Sequence, residues 1–240
     1  MKGLTVLITG ASGGIGKAIC RRLAAENYNL VLFGGTNAEK LRDTANALIK
    51  EYRDIKVEYF PCDLTDDGAV KAAFGKAAEN GLDVIINNAG IAYGAPVEKT
   101  DMEIFDKIMA LNFRAPVLIT KEGLPYLKKS RRASIINIAS VVAHNGYPLQ
   151  SAYSASKHAL LGFSKSVAAE LYAQGIRVHV VSPGGVYTDM IKITRPDLTG
   201  ENMIMPEDVA ETVLFLLKNR TNAVIDEISM HRVGKQPFSG

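Results

Sequence analysis

The chain has 240 residues, 47% hydrophobic and 22% charged, a length and balance that suit one globular domain with a sizeable core and argue against disorder. Its 28 Lys and Arg against 25 Asp and Glu leave a formal charge of +3 with no basic run beyond pairs such as Arg131/Arg132, so no nucleic-acid partner is expected. The apolar run at 4–8 is too short for a secretory signal, and no stretch approaches the roughly 18 apolar residues of a membrane span.

Short β-rich runs alternate with longer helical patterns from end to end, without a linker, a low-complexity tract or an internal repeat. Residues 4–9 read as a buried strand and 15–26 as the helix that follows; 29–33 is a second strand, and Thr36-x-x-Glu39 offers a capping box for a helix reaching about 52. A strand at 56–60, a helix at 65–80 and a strand at 83–87 come next. Thr100-x-x-Glu103 then caps a stretch running to about 129, which Pro116 and Pro125 must kink or interrupt. A strand at 134–138, a long helix at 151–174 with an apolar stripe at Leu160, Phe163, Val167 and Leu171, and a strand at 176–181 follow. Pro206 opens a helix through 217, and 223–228 is the last strand.

Parallel strands joined by helices cross over right-handed and cover both sheet faces, which predicts a single-domain, doubly wound α/β fold over 1–240. Ligands of such sheets bind beyond the carboxyl ends of the strands, where strand order reverses. The loops after the first, fourth, fifth and sixth strands are therefore where chemistry is expected. After the first strand comes Thr9-Gly10-Ala11-Ser12-Gly13-Gly14-Ile15-Gly16, which leads straight into a helix. Such a turn lets backbone approach a diphosphate closely and turns helix N–H groups toward its charge, and the missing Gly-Lys-Ser/Thr argues against a nucleoside triphosphate loop. Tyr153 and Lys157 stand four apart on one helical face, and Ser140 closes the fifth strand thirteen residues upstream. Tyr52 and Lys56 repeat the spacing across a helix end and a strand start, where it carries nothing. Two cysteines, Cys20 and Cys62, make neither a disulfide framework nor a zinc set, and four histidines include no pair at metal spacing, so no metal and a cytoplasmic setting are expected. Only His144, in the loop after Ser140, stands where it could border a substrate.

The glycine turn, Asn87-Asn88-Ala89-Gly90, Asn112, Ser140, Tyr153-x-x-x-Lys157 and Pro183-Gly184 together resemble the short-chain dehydrogenase/reductase family in order and spacing, from Leu4 to about Ile228. The resemblance implies a Rossmann-like fold and a nicotinamide dinucleotide held by Gly10, Ser12, Gly13, Gly14, Ile15 and Gly16. Asp63 and Leu64 would meet the adenine, with Asp63 open to an alternative role as a helix cap. Asn88, Ala89 and Gly90 would border the adenosine half, and Pro183, Gly184, Val186 and Thr188 the nicotinamide. It further implies Tyr153 as the acid/base, Lys157 as the neighbouring cation that also holds the nicotinamide ribose, Ser140 as a donor to the substrate oxygen, and Asn112 as the anchor of a water linking the lysine to solvent. A free phenol near pKa 10 is a poor base at neutral pH and needs such a cation.

NAD preference in this fold uses an acid after the second strand, and Phe33-Gly34-Gly35-Thr36-Asn37 supplies none before Glu39. Room at Gly34 and Gly35 and donors at Thr36 and Asn37 favour NADP(H) over NAD(H), and Asp in place of Gly34 is expected to shift preference toward NADH. The leading expectation is a carbonyl reductase or alcohol dehydrogenase acting on a small-molecule carbonyl or secondary alcohol. The alternatives are an NAD-dependent alcohol dehydrogenase of the same family and a non-catalytic dinucleotide-binding redox sensor. Residues 188–206, where the family places a lid, are short and partly apolar, which suits a small or medium apolar substrate. The ending departs from the Asp-Gly-Gly close of 3-oxoacyl-carrier-protein reductases, which argues against an acyl-carrier partner. A homo-oligomer, dimer or tetramer, through the helices at 101–129 and 151–174 is implied by resemblance alone.

Overall fold

The computed structural model describes residues 3–35, 37–77, 81–189, 191 and 199–236. Seven strands, β1 (Thr5–Thr9), β2 (Asn29–Phe33), β3 (Val57–Phe60), β4 (Val84–Asn87), β5 (Ser134–Ile138), β6 (Arg177–Pro183) and β7 (Glu227–Met230), form one sheet in the order β3-β2-β1-β4-β5-β6-β7. Every neighbouring pair is parallel. Strand order reverses between β1 and β4, so the carboxyl ends of those two strands diverge and open a crevice there.

The alternation of side chains along β1 explains the two layers. Val6 and Ile8 face one apolar cluster, whereas Leu7 faces the other. The first cluster takes α1 (Gly14–Ala24), α2 (Ala38–Glu51) and α7 (Pro206–Lys218) through residues such as Leu23, Leu41 and Leu214. The second takes α3 (Asp67–Ala77), α5 (Ala115–Leu127) and the distal part of α6 (Ser151–Leu171) through Phe74, Ile119 and Val167. With both faces covered, central strands such as TVLIT are buried at every position, which is why they read as continuous apolar runs. Leu160, Val167 and Leu171 of the α6 stripe are likewise buried in the chain's own core.

Several expected boundaries move, each for a local reason. Thr36 lies outside the described residues, and α2 is capped by Asn37, whose side chain accepts from Lys40 N. Asp101, not Thr100, caps α4 (Met102–Met109) by accepting from Glu103 N. The break in the central helix comes ahead of Pro116, as a π-helical turn at Ala110–Arg114 that joins α4 to α5; Pro116 then sits in the first turn of α5, where its missing N–H is tolerated, and Pro125 stays inside the helix near its end. The helix expected at 65–80 starts two residues later, because Asp66 accepts from Gly68 N and Ala69 N; residues 78–80 lie outside the described residues. The last strand is displaced from 223–228 to Glu227–Met230, since the Arg177 guanidinium collects the carbonyls of Asn219, Thr221 and Ala223 and holds that stretch out of the ladder.

The glycine turn is a packing requirement as well as a ligand feature. A Cβ at Gly16 would collide with the Gly10 carbonyl, whereas one at Gly162, exposed in α6, would meet nothing within 4 Å. Gly16→Ala should therefore cost at least about 2 kcal/mol in urea unfolding, while Gly162→Ala should gain about 0.5–1 kcal/mol from helix propensity.

Candidate active site

The floor of the crevice is laced by short hydrogen bonds between β1 and the segment after β4. Thr9 Oγ1 accepts from Asn88 N at 2.9 Å and Ala89 N at 3.0 Å, and Asn88 Nδ2 donates to Thr9 O at 2.9 Å and Gly10 O at 3.3 Å. Gly13 N closes the turn on Gly10 O at 3.0 Å. From there α1 starts with no capping side chain and no acid in its first turn, and Gly13 and Gly14 are exposed. Its first N–H groups thus point out with the positive end of the helix dipole and suit an anion such as a diphosphate. The loop after β6 closes over this end, because a Cβ at Gly14 would lie 2.9 Å from Thr188 Cγ2. Pro183 ends β6, Gly184 N donates to Met230 O at 2.8 Å, and Val186 is buried and bridged to Ile204.

Beside this turn four polar side chains converge from three elements. Lys157, 4% exposed, projects from α6 and donates from Nζ to Ile138 O at the end of β5, 2.8 Å away. Its ammonium is 5.8 Å from the centre of the Tyr153 ring, one helical turn earlier on the same face. Burial lowers the Lys157 pKa to about 8, which still leaves a cation at neutral pH. The Tyr153 phenol is pushed up by burial and pulled back by its hydrogen bond with Ser140. Ser140, buried at the end of β5, donates to Pro183 O at 3.2 Å and accepts from Val142 N at 3.4 Å. Asn112, fully buried in the π turn, accepts from Ile91 N at 2.9 Å and donates to Ile91 O at 2.9 Å and Ser156 Oγ at 3.1 Å. A Cβ at Gly90 would lie 3.2 Å from Asn112 Oδ1 and 3.7 Å from Lys157 Nζ, so Gly90 keeps the gap between them open.

Asp63, Leu64 and His144 each make contacts within the chain. Asp63 accepts from Thr65 N at 2.9 Å and Thr65 Oγ1 at 2.7 Å, bonds that hold its carboxyl below the usual range, and it braces the turn before α3 instead of capping the helix. Leu64 turns its side chain into the second apolar cluster. His144 is paired with Glu227 through Nε2, 2.7 Å from Oε1. Ser156, which braces Asn112 and donates to Tyr153 O at 2.7 Å, was not singled out by spacing, although it stands inside Tyr153-x-x-Ser156-Lys157. Residues 190 and 192–198 of the expected lid lie outside the described residues.

The family model described as short chain dehydrogenase matches residues 4–199. A 3-oxoacyl-[acyl-carrier-protein] reductase FabG of Rickettsia bellii is 35% identical over 233 residues, covering 93% of this chain and 93% of that protein. Carbonyl reductase family member 4 of Xenopus laevis is 32% identical over 219 residues, 88% of this chain and 90% of that protein. Among solved structures, an alcohol dehydrogenase from the archaeon Thermococcus sibiricus complexed with 5-hydroxy-NADP superposes with a TM-score of 0.89 at 26% identity, covering 98% of this chain and 99% of that one. The chain belongs to the short-chain dehydrogenase/reductase family. It is an oxidoreductase of CH–OH and C=O groups that works with a nicotinamide dinucleotide, and the uncapped α1 terminus behind the glycine turn fits the diphosphate of that cofactor.

The depressed Lys157 pKa has a thermodynamic signature. Between about pH 8 and the ordinary lysine value of 10.5 the unfolded chain still holds a proton that the folded chain has released. Stability of the cofactor-free protein should therefore rise with pH across that window relative to Lys157→Met, and the difference should be flat below pH 8. Parallel urea titrations of the two proteins from pH 7 to 10.5 measure it.

Proposed function

We propose that the protein is an NADP(H)-dependent carbonyl reductase that converts a small or medium carbonyl compound to a secondary alcohol. The observation that carries the reading is the convergence of Ser140, Tyr153 and Lys157, braced by Asn112, beside the uncapped start of α1.

The cofactor supplies a hydride at its nicotinamide ring or accepts one. The protein's part is to hold it and to manage the substrate's oxygen. Backbone N–H groups from Gly14 to Gly16, with Ser12, would hold the diphosphate against the turn of Gly10 and Gly13; Asn88, Ala89 and Gly90, with Asp63 and Leu64, would border the adenosine; Pro183, Gly184, Val186 and Thr188 would border the nicotinamide; and Tyr153 and Lys157 would hold its ribose. Ser140 Oγ–H, whose present bond to Pro183 O is long for a hydroxyl donor, turns to the carbonyl oxygen as charge gathers there. Tyr153 gives that oxygen its proton and becomes a phenolate, which the Lys157 ammonium stabilises from across the ring. Asn112 fixes Ile91 against Ser156 and so sets the spacing of the post-β4 segment from α6 beside Lys157. In the reverse direction the same groups take the proton from an alcohol.

Preference for the 2′-phosphate is supported by Gly34 and Gly35 after β2, by the lack of an acid before Glu39, and by the archaeal relative whose structure holds 5-hydroxy-NADP. Gly34 itself is a poor place for a test, since its φ of +144° and the 3.1 Å from its would-be Cβ to Gly10 N mean that Asp there would distort the glycine turn. Gly35 has φ of +72°, which Asp tolerates better than most residues, and open space beyond 3.6 Å. A dimer or tetramer belongs to the same reading, but the α6 stripe adds no argument for it, being consumed inside the chain.

Tyr153→Phe should lower turnover about 10²- to 10⁴-fold while NADPH affinity, read by fluorescence titration, stays within a few-fold. Near-normal rates would remove Tyr153 from its role. Gly35→Asp should weaken NADPH and spare NADH; an unchanged ratio of the two dissociation constants would overturn the cofactor assignment.

A further inference from the structure

The turn that carries Ser140 is tied down at both ends, and the second tie has no part in the chemistry above. Ser140 opens a 3₁₀ turn at Val141–Ala143, with Ala143 N donating to Ser140 O at 2.9 Å and His144 N to Val141 O at 3.1 Å. At its start the turn is held by Ser140 Oγ on Pro183 O. At its end the His144 imidazole reaches Glu227 Oε1, 83 residues away on β7, at 2.7 Å. The same carboxylate oxygen accepts from Ser182 Oγ at 2.5 Å, and Ser182, fully buried, immediately precedes Pro183 in β6. One carboxylate thus joins the far end of the Ser140 turn to the strand end whose carbonyl takes the Ser140 hydroxyl.

We infer that Glu227 and His144 are positioning residues, a latch that fixes the Ser140 turn against β6 and the start of β7 so that the Ser140 hydroxyl meets the substrate oxygen in one orientation. Two physical points favour a latch over an incidental surface pair. A hydrogen bond to a carboxylate is stronger than one between neutral groups, and one Glu227 oxygen holds both the His144 ring and the fully buried Ser182 hydroxyl. The pair also ties the turn after β5 to the first residue of β7, with β6 between them, so it constrains long-range geometry that no local hydrogen bond of the turn can set. A donor free to swing by an ångström would lose much of its effect on developing charge, since that effect depends on preorganisation.

The inference rests on Ser140 acting on the substrate oxygen, and its test separates the two claims. His144→Ala should speed amide exchange at Val142, Ala143 and residue 144 while leaving the rest of the sheet protected; unchanged exchange there overturns the latch whatever the substrate is. With a carbonyl substrate that the wild type reduces, His144→Ala should lower kcat about tenfold, with KM and NADPH affinity within about twofold. His144→Gln, whose amide can still donate to Glu227, should restore most of the rate. Glu227→Gln should be slow as well, and the double variant no slower than the worse single one. A His144→Ala enzyme with normal kcat, no rescue by Gln, or additive losses would each overturn the latch. If Glu227→Gln fails to fold, the His144 series alone decides. If Tyr153→Phe turns out fully active, the proposed function fails, and the exchange experiment still judges the latch.

Discussion

A buried ammonium is the constraint around which the site is arranged. Lys157 is almost wholly removed from water, and taking such a cation into a protein costs several kcal/mol unless it is solvated by fixed groups. The carbonyl of Ile138 is the acceptor within the chain. That carbonyl is available because the β4–β5 ladder ends one residue earlier, at Asn87 and Asn137, and the segment after β4 gives its N–H groups to Thr9 Oγ1 instead. Lys157 must then sit on α6 one turn from Tyr153, and α6 must start where the end of β5 can be reached. The rest of the neighbourhood follows from accommodating this charge. Gly90 leaves it space, Asn112 stiffens the segment that carries Gly90, and the phenol gains a cation within electrostatic reach.

Much of the fold is legible in the sequence because burial dictates composition. β1, β4 and β5 are buried on both faces, so their sequences are dominated by Val, Leu and Ile with only uncharged polar residues between, and the expected positions of the first two agree with the sheet to within a residue and that of β5 in full. The expected start of the last strand falls four residues before β7 because β7 is an edge strand of intermediate burial and the preceding Ala223-Val224-Ile225 is at least as apolar, a stretch that Arg177 on the neighbouring β6 holds irregular through the Thr221 and Ala223 carbonyls. The sequence offers the α4 cap one residue early because Thr100 and Asp101 both fit the chemistry of a cap, and only backbone geometry decides between them.

The candidate site divides along a similar line. Ser140, Tyr153 and Lys157 were legible because two adjacent loops of a parallel sheet bring together residues close in sequence, at helical spacing. The side chains of Asp63 and Leu64 meet a local turn and the core, contacts that no spacing reveals. Glu227 left no trace at all, since its partner lies 83 residues away and a lone glutamate in a strand usually reads as a solvated face. Likewise, nothing local predicts that Asn112 falls in a π turn. The extra residue there rotates the helix so that Asn112 turns inward to Ile91 and Ser156, where an uninterrupted α-helix would have presented a different face.

Polar groups elsewhere in the interior show how the sheet keeps this arrangement rigid. Asn87 at the end of β4 donates to Asn137 Oδ1 on β5 at 2.8 Å, and Asn137 Nδ2 donates to Ser164 Oγ on α6 at 2.7 Å. Asn87 and Asn137 are register partners, so the chain of bonds crosses directly from strand to strand and then down to the helix that bears Tyr153 and Lys157. Apolar packing between α6 and the sheet could be satisfied by several small slides of the helix, because dispersion is not directional. Directional bonds between buried amides and a buried hydroxyl leave only one position in which no donor is lost, and losing one in such surroundings costs about 1–3 kcal/mol. The polar ladder therefore fixes where α6 sits on the sheet. With α6 fixed, the reach from Lys157 to the Ile138 carbonyl is fixed as well.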